Sequence, residues 1–178
     1  MPSLTPNIEN RVRKLPKPSN ATQGLQPLFE AVSNAVYALE DRLGSEHLKN
    51  GRVTIAVTAL SDPEKIEIVV SDNGIGLDQD RYDAFCETDT DFKRARGGKG
   101  VGRLFWLDAF NEIQVDSVYR GENSFLRRRF AFMLNNKEQI VPTEIDQPVP
   151  AGTSTGTSAT FRGLRTKEYA DTFPRTWV

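Results

Sequence analysis

Glu30 and Asn34 are four residues apart on a predicted helix, so they project from one face about one turn from each other. Glu30 stands between Phe29 and Val32, close to an apolar stripe. A carboxylate there is costly unless it has a partner or a task. A second carboxylate, Asp72, follows the apolar run Ile66-Glu67-Ile68-Val69-Val70 and opens the turn Asp72-Asn73-Gly74-Ile75-Gly76. Asn-Gly alone marks a tight turn, but the second glycine exceeds what a turn requires. Farther on, Gly97-Gly98-Lys99-Gly100-Val101-Gly102-Arg103 lets backbone N–H groups approach an anion without Cβ interference. The helix that follows offers its N-terminus to the same anion; Lys99 adds a point charge and Arg103 a forked one. No Lys-Ser or Lys-Thr follows and no strand precedes the block, so it is neither a P-loop nor a dinucleotide fingerprint. Finally, Gly156-Thr157 leads into an alternating strand, whereas the competing Gly152-Thr153 does not.

The elements that must position these groups follow from periodicity. Residues 22–43 carry Leu25, Leu28, Phe29, Val32, Val36, Leu39 and Leu43 at helical steps, with Gly44 as a stop. Residues 52–59 alternate with Val53, Ile55 and Val57 on one face, a half-buried strand. Residues 61–64 form a turn into a strand over 65–70, so the two strands make a hairpin. Residues 78–96 are polar, lack clear period and read as a lid-like loop containing Cys86. A helix is predicted over 100–110, with Trp106 in its core face, then strands over 113–119 and 125–134 joined by a turn at Gly121-Glu122-Asn123. Residues 138–156 read as mostly loop and 157–162 as a last strand. Residues 1–20 carry Pro2, Pro6, Pro16 and Pro18 and read as a polar arm that propagates no helix and buries little. The order of elements predicts an α+β two-layer sandwich with helices packed on one sheet face.

Composition narrows the classes. The 178 residues suffice for one domain with a core, and a net charge of -1 creates no global field toward nucleic acid or membrane. Arg127, Arg128 and Arg129 alternate faces on a strand and read as a solvated strand, so no nucleic-acid patch is evident. One cysteine provides neither an internal disulfide nor a metal cluster, and the lone His47 sits in a polar stretch with no catalysis assigned. No apolar run is long enough to span a bilayer and no signal-peptide core stands at the N-terminus, so a cytoplasmic location is the expectation.

The four motifs, in this order, resemble the nucleotide site of the GHKL ATPases: gyrase, the ninety-kilodalton heat-shock chaperone, histidine kinases and MutL. The resemblance covers about residues 25–161 and implies the Bergerat ATP-binding fold, with a mixed, mostly antiparallel sheet. It implies ATP as ligand, with Glu30 orienting and deprotonating the attacking water and Asn34 as an oxygen ligand to Mg²⁺. Asp72 would accept from the exocyclic amine of adenine, and Gly74 and Gly76 would make room for the base. Asn73 is carried over more loosely, as pocket lining. Gly98, Lys99, Gly100, Val101, Gly102 and Arg103 would hold the phosphates, and Thr157 would support the Asp72–adenine contact. On this basis residues 1–21 are an arm, 22–165 the ATPase domain and 166–178 the start of a linker or following region. Clamp-type relatives have a following domain that supplies a lysine to the γ-phosphate. A downstream domain or partner protein is therefore expected, with weak hydrolysis in isolation and nucleotide-dependent homodimerisation through the arm. Two alternatives stay open: a serine kinase of the anti-sigma type on the same fold, and a nucleotide-binding switch without chemistry. Histidine kinases usually carry Asn at the position of Glu30, which sets this chain apart from them.

Overall fold

Alternating apolar residues build a sheet with one greasy face. The structure, a computed structural model, describes residues 7–87, 102–134, 138–150 and 152–175. Six strands, β1 (Val53–Thr58), β2 (Glu67–Asp72), β3 (Phe110–Arg120), β4 (Phe125–Phe132), β5 (Ile140–Pro148) and β6 (Gly156–Leu164), lie in the order β1-β2-β6-β3-β4-β5. All pairings among the described residues are antiparallel, so the expected α+β sandwich is present with a purely antiparallel sheet rather than a mixed one. Ile68, Val70, Ile113, Val115, Phe130, Phe132 and Phe161 are buried on the inner face. Burying a side chain such as Phe161 contributes about 1.5–3 kcal/mol. Trp106 and Phe110 pack against its ring with centroids 5.2 and 5.0 Å away.

The helices are α1 (Ile8–Arg13), α2 (Ala21–Gly24), α3 (Gln26–Leu43), α4 (Gln79–Cys86), α5 (Gly102–Ala109) and α6 (Lys167–Thr172). The single helix expected over 22–43 is divided at Leu25, because Pro27 in the first turn of α3 lacks the N–H that would continue α2. Asn20 caps α2 by accepting from Gln23 N at 3.0 Å. The apolar stripe of α3 buries Leu28, Ala31, Ala35 and Leu39. Trp106 on α5 donates its indole N–H to Pro27 O at 2.9 Å and so ties α5 to the start of α3.

Several expectations need correction. The part of the expected lid loop over 79–86 is the helix α4, with Asp78 as N-cap accepting from Arg81 N at 3.0 Å. Its two aromatic residues, Tyr82 and Phe85, lie three apart and pack on Phe130. A two-turn helix with two apolar anchors leaves too little period to register. The rest of the expected lid lies outside the described residues. The expected loop over 138–156 holds the edge strand β5, disguised by Pro142 and Pro148, which an edge strand tolerates. The expected arm includes α1, whose Val12 is fully buried in the core. Ile55 is 47% exposed because β1 is also an edge. The expectation of a solvated Arg127-Arg128-Arg129 strand fails at Arg128, which is fully buried on the inner face. Arg127 and Arg129 share Asp116 on the other face.

The connection that matters most for the site is the last one. β6 inserts between β2 and β3, so Thr157 lies directly opposite Asp72 on one side and Ser117 on the other.

Candidate functional site

A cavity of about 740 Å³ opens between α3, α4, α5 and the inner face of the sheet. Its wall includes Glu30, Asn34, Asp72, Gly76, Gly102, Arg103 and Thr157, so seven of the sequence-predicted site residues converge on one space. Gly74 lies behind the wall, where a Cβ would press on the Ala38 backbone at 2.7 Å from its carbonyl carbon. Gly98, Lys99, Gly100 and Val101 lie outside the described residues.

One end of the cavity is built by strand ends. Asp72 Oδ1 accepts from Gly74 N at 2.7 Å and from Thr157 N at 3.3 Å. Burial raises the Asp72 carboxyl from its ordinary 3.8 to about 6, outweighing those two N–H bonds, which pull the other way. The Thr157 hydroxyl is directed to Ser117 Oγ at 2.9 Å, while its backbone N–H serves Asp72. Gly76 has a φ of +82°, and a Cβ there would overlap Val118 O and approach its carbonyl carbon to 2.9 Å. The turn can therefore lie on β3 and line the cavity only with glycine at that position. Asn73 does not line the cavity: its amide accepts from Arg52 N at 2.6 Å and donates to Asn50 O at 3.3 Å.

The other end is built by α3 against the N-terminus of α5. Gln26 donates to Glu30 Oε1 at 3.1 Å. The second carboxylate oxygen, Oε2, sits against Gly102, where a Cβ would overlap it and lie 2.7 Å from Glu30 Cδ. Glycine at the first residue of α5 thus lets the carboxylate approach the backbone at the positive end of that helix.

Sequence reasoning passed over two charged wall residues. Arg81 on α4 pairs with Asp41 on α3 at 2.8 Å and with its own N-cap Asp78 at 2.5 Å. Asp41 lies seven residues beyond Asn34 and eleven beyond Glu30, so the Glu30–Asn34–Asp41 face was visible as helical spacing; its partner on α4 was not. Leu15 and Pro16, from the segment expected to be a loose arm, also line the cavity. They are held by Lys17, which pairs with the buried Asp108 on α5.

A helix Glu–Asn pair and a strand-end Asp–Thr pair thus line one cavity of an antiparallel α+β sandwich. The model of the histidine kinase-, DNA gyrase B-, and HSP90-like ATPase family matches residues 22–125, more than half of the chain, and the chain belongs to that family. The matched span holds the first three motifs; Gly156-Thr157 lies beyond it and reaches the site through the insertion of β6. Among solved structures, the ATPase and transducer domains of DNA topoisomerase II from Balamuthia mandrillaris align with a TM-score of 0.57 at 19% identity. The alignment covers 81% of this chain and 38% of that one, so this chain spans well under half of that relative's length. No curated protein matches the chain. Among the described residues no helix is long and apolar enough to cross a membrane.

Proposed function

We propose that the domain binds ATP in the 740 Å³ cavity and hydrolyses it, using the resulting change to drive a larger protein of the clamp or chaperone-like kind. The observation that carries this reading is the placement of Asp72 and Thr157 at one end of the cavity and Glu30, Asn34 and Gly102 at the other. The volume suits a nucleotide. Asp72, ionised, accepts from the exocyclic amine of adenine and so discriminates against guanine, which carries a carbonyl there. Its second oxygen is available for this because Oδ1 takes both backbone N–H bonds. Gly76 leaves room for the base, and Thr157 holds the carboxylate through its N–H.

Arg103 and the backbone at the start of α5 face the phosphates, with Gly98, Lys99, Gly100 and Val101 completing that cradle in the proposal. The side chains fit a hard cation: Asn34 offers an amide oxygen on the same wall as Glu30. A bound Mg²⁺ supplies charge neutralisation across the phosphates. Glu30 orients a water in line with the γ-phosphorus and takes its proton as the water oxygen–phosphorus bond forms and ADP leaves with the electrons of the broken bond. Residues 22–165 constitute the ATPase unit in this reading, and a downstream domain, a partner or a nucleotide-dependent homodimer completes the cycle.

The test is calorimetric titration with ATP, a non-hydrolysable ATP analogue and GTP, each with and without Mg²⁺, followed by turnover assays on Glu30→Ala. Mg²⁺-enhanced ATP binding that excludes GTP, with turnover lost and affinity kept in Glu30→Ala, is the expected result. Turnover unchanged in that variant removes Glu30 from the mechanism. ATP binding without turnover in the wild type turns the reading toward a kinase or a binding switch.

A further inference from the structure

The inner face of the sheet carries one polar row through an apolar core. Asp72, Thr157, Ser117 and Arg128 are successive cross-strand partners on β2, β6, β3 and β4. Hydrogen bonds run the length of the row. Thr157 N donates to Asp72 Oδ1 at 3.3 Å, and the Thr157 and Ser117 hydroxyls are 2.9 Å apart. Ser117 Oγ donates to Gly156 O at 3.2 Å and accepts from Leu77 N at 2.8 Å, which leaves the Thr157 hydroxyl as donor between the two side chains. Arg128 Nη1 then donates to Leu77 O and Asp78 O, each at 3.2 Å. The backbone of Leu77, next to Gly76 in the cavity wall, is thus clamped on both sides of its Cα, its N–H by Ser117 and its carbonyl by Arg128.

Arg128 is the far anchor of this chain. It is fully buried, and its guanidinium lies 4.3 Å from the centroid of Tyr82 on α4 and 5.0 Å from that of Tyr119. Nη2 also reaches Gln79 Oε1, the first residue of α4, at 3.0 Å. Its counter-ion is Asp146 on the edge strand β5, bonded at 2.6 Å to Nη2 and 3.1 Å to Nε. Tyr119 donates to the same Asp146 oxygen at 2.6 Å. A charge this deeply buried is stable only with its partners in place. Asp146 sits in the left-handed region at φ 55°, beside irregularities in the β4–β5 register, and its side chain is 41% exposed.

Resting on the proposed nucleotide site, we infer that Arg128 is a positioning residue for it. Arg128 holds the Leu77 and Asp78 carbonyls and the start of α4 beside the cavity wall, and Asp146 on the exposed edge strand sets that hold. A contact made at the β5 edge therefore changes nucleotide affinity without touching the nucleotide.

The test compares Asp146→Asn with Glu144→Gln in the full chain. Glu144 is on the same strand, is 37% exposed and pairs with Arg129 on the opposite face, so it controls for loss of one edge carboxylate. ATP affinity, melting temperature and hydrogen exchange over residues 77–86 are read for each. Asp146→Asn should weaken ATP binding about tenfold and speed exchange over 77–86, while Glu144→Gln changes neither. In Asp146→Asn/Ser117→Ala the loss of affinity should be less than the product of the single losses, since both act on the backbone of one residue, Leu77. Unchanged exchange over 77–86 in Asp146→Asn overturns the inference, as does equal loss of affinity in both single variants. Failure of the wild type to bind ATP would instead defeat the nucleotide reading, with the exchange comparison still deciding the role of Arg128.

Discussion

Asp72→Asn should yield a protein that is more stable and yet binds ATP far more weakly. Asp72 Oδ1 accepts from both Gly74 N and Thr157 N, and an amide oxygen in its place can accept both. What the substitution removes is a charge that burial disfavours. Burial, opposed by those two N–H bonds, lifts the carboxyl from 3.8 to about 6. At about 1.4 kcal/mol per decade, that rise corresponds to at most about 3 kcal/mol, less for a side chain that keeps some solvent. The sign follows from proton binding. Between the two values the folded state binds more protons than the unfolded state, so stability falls as pH rises from about 4 to about 6. Above about 6 the destabilisation is complete. The variant escapes it, so at about pH 7.5 it should melt about 3–8 °C higher than the wild type. Its stability should also lose the corresponding slope between about pH 4 and 6. The cost falls on binding. The amide nitrogen would face the adenine amine, donor against donor, and a lost hydrogen bond to a charged group predicts about a 100-fold weaker affinity. Thermal melts across that pH range, with ATP titrations at about pH 7.5, measure both effects. A variant that melts no higher than the wild type refutes the burial argument, and one that binds ATP unchanged refutes the adenine assignment.

Gly102→Ala should leave the fold intact, because the atoms nearest the added methyl belong to the movable side chain of Glu30 and alanine favours a helix by up to about 1 kcal/mol. Displacing that carboxylate should slow hydrolysis about 100-fold, within the range of lost general-base catalysis, as single-turnover assays would record. Glu30→Ala should match that loss of turnover while keeping ATP affinity, and a variant binding ATP far more weakly would move Glu30 from chemistry to binding. Trp106→Phe removes the indole bond to Pro27 O and should cost about 1–2 kcal/mol in denaturant unfolding; no change would show that water replaces the bond.

Much of the site was legible locally. Glu30 and Asn34 share a face because a helix repeats every 3.6 residues, and their turn-by-turn continuation to Asp41 follows the same rule. Asp72 was placed at a strand end by the apolar run before it, and the glycines after it marked a turn where side chains do not fit. These are relations between near neighbours, which sequence states directly. α4 and β5 were missed for opposite reasons: two aromatic anchors on a two-turn helix give almost no period, and two prolines hide an edge strand whose missing N–H groups cost nothing there.

Composition and periodicity by themselves determined an α+β chain with a helix-borne Glu–Asn pair, a strand-end carboxylate and a glycine block, because each depends on residues within a few turns or one strand. The tertiary structure decided which distant segments meet. The insertion of β6 between β2 and β3 gives Asp72 the Thr157 N–H it needs, and the approach of α5 to α3 puts Glu30 against Gly102. Arg128 is the sharpest case. Three consecutive arginines say solvent, and the burial of the middle one rests on Asp146, Tyr119, Tyr82 and the stretch Leu77-Asp78-Gln79 that leads into α4. A buried charge is a property of its partners, and its partners here come from three separate elements that no local pattern joins.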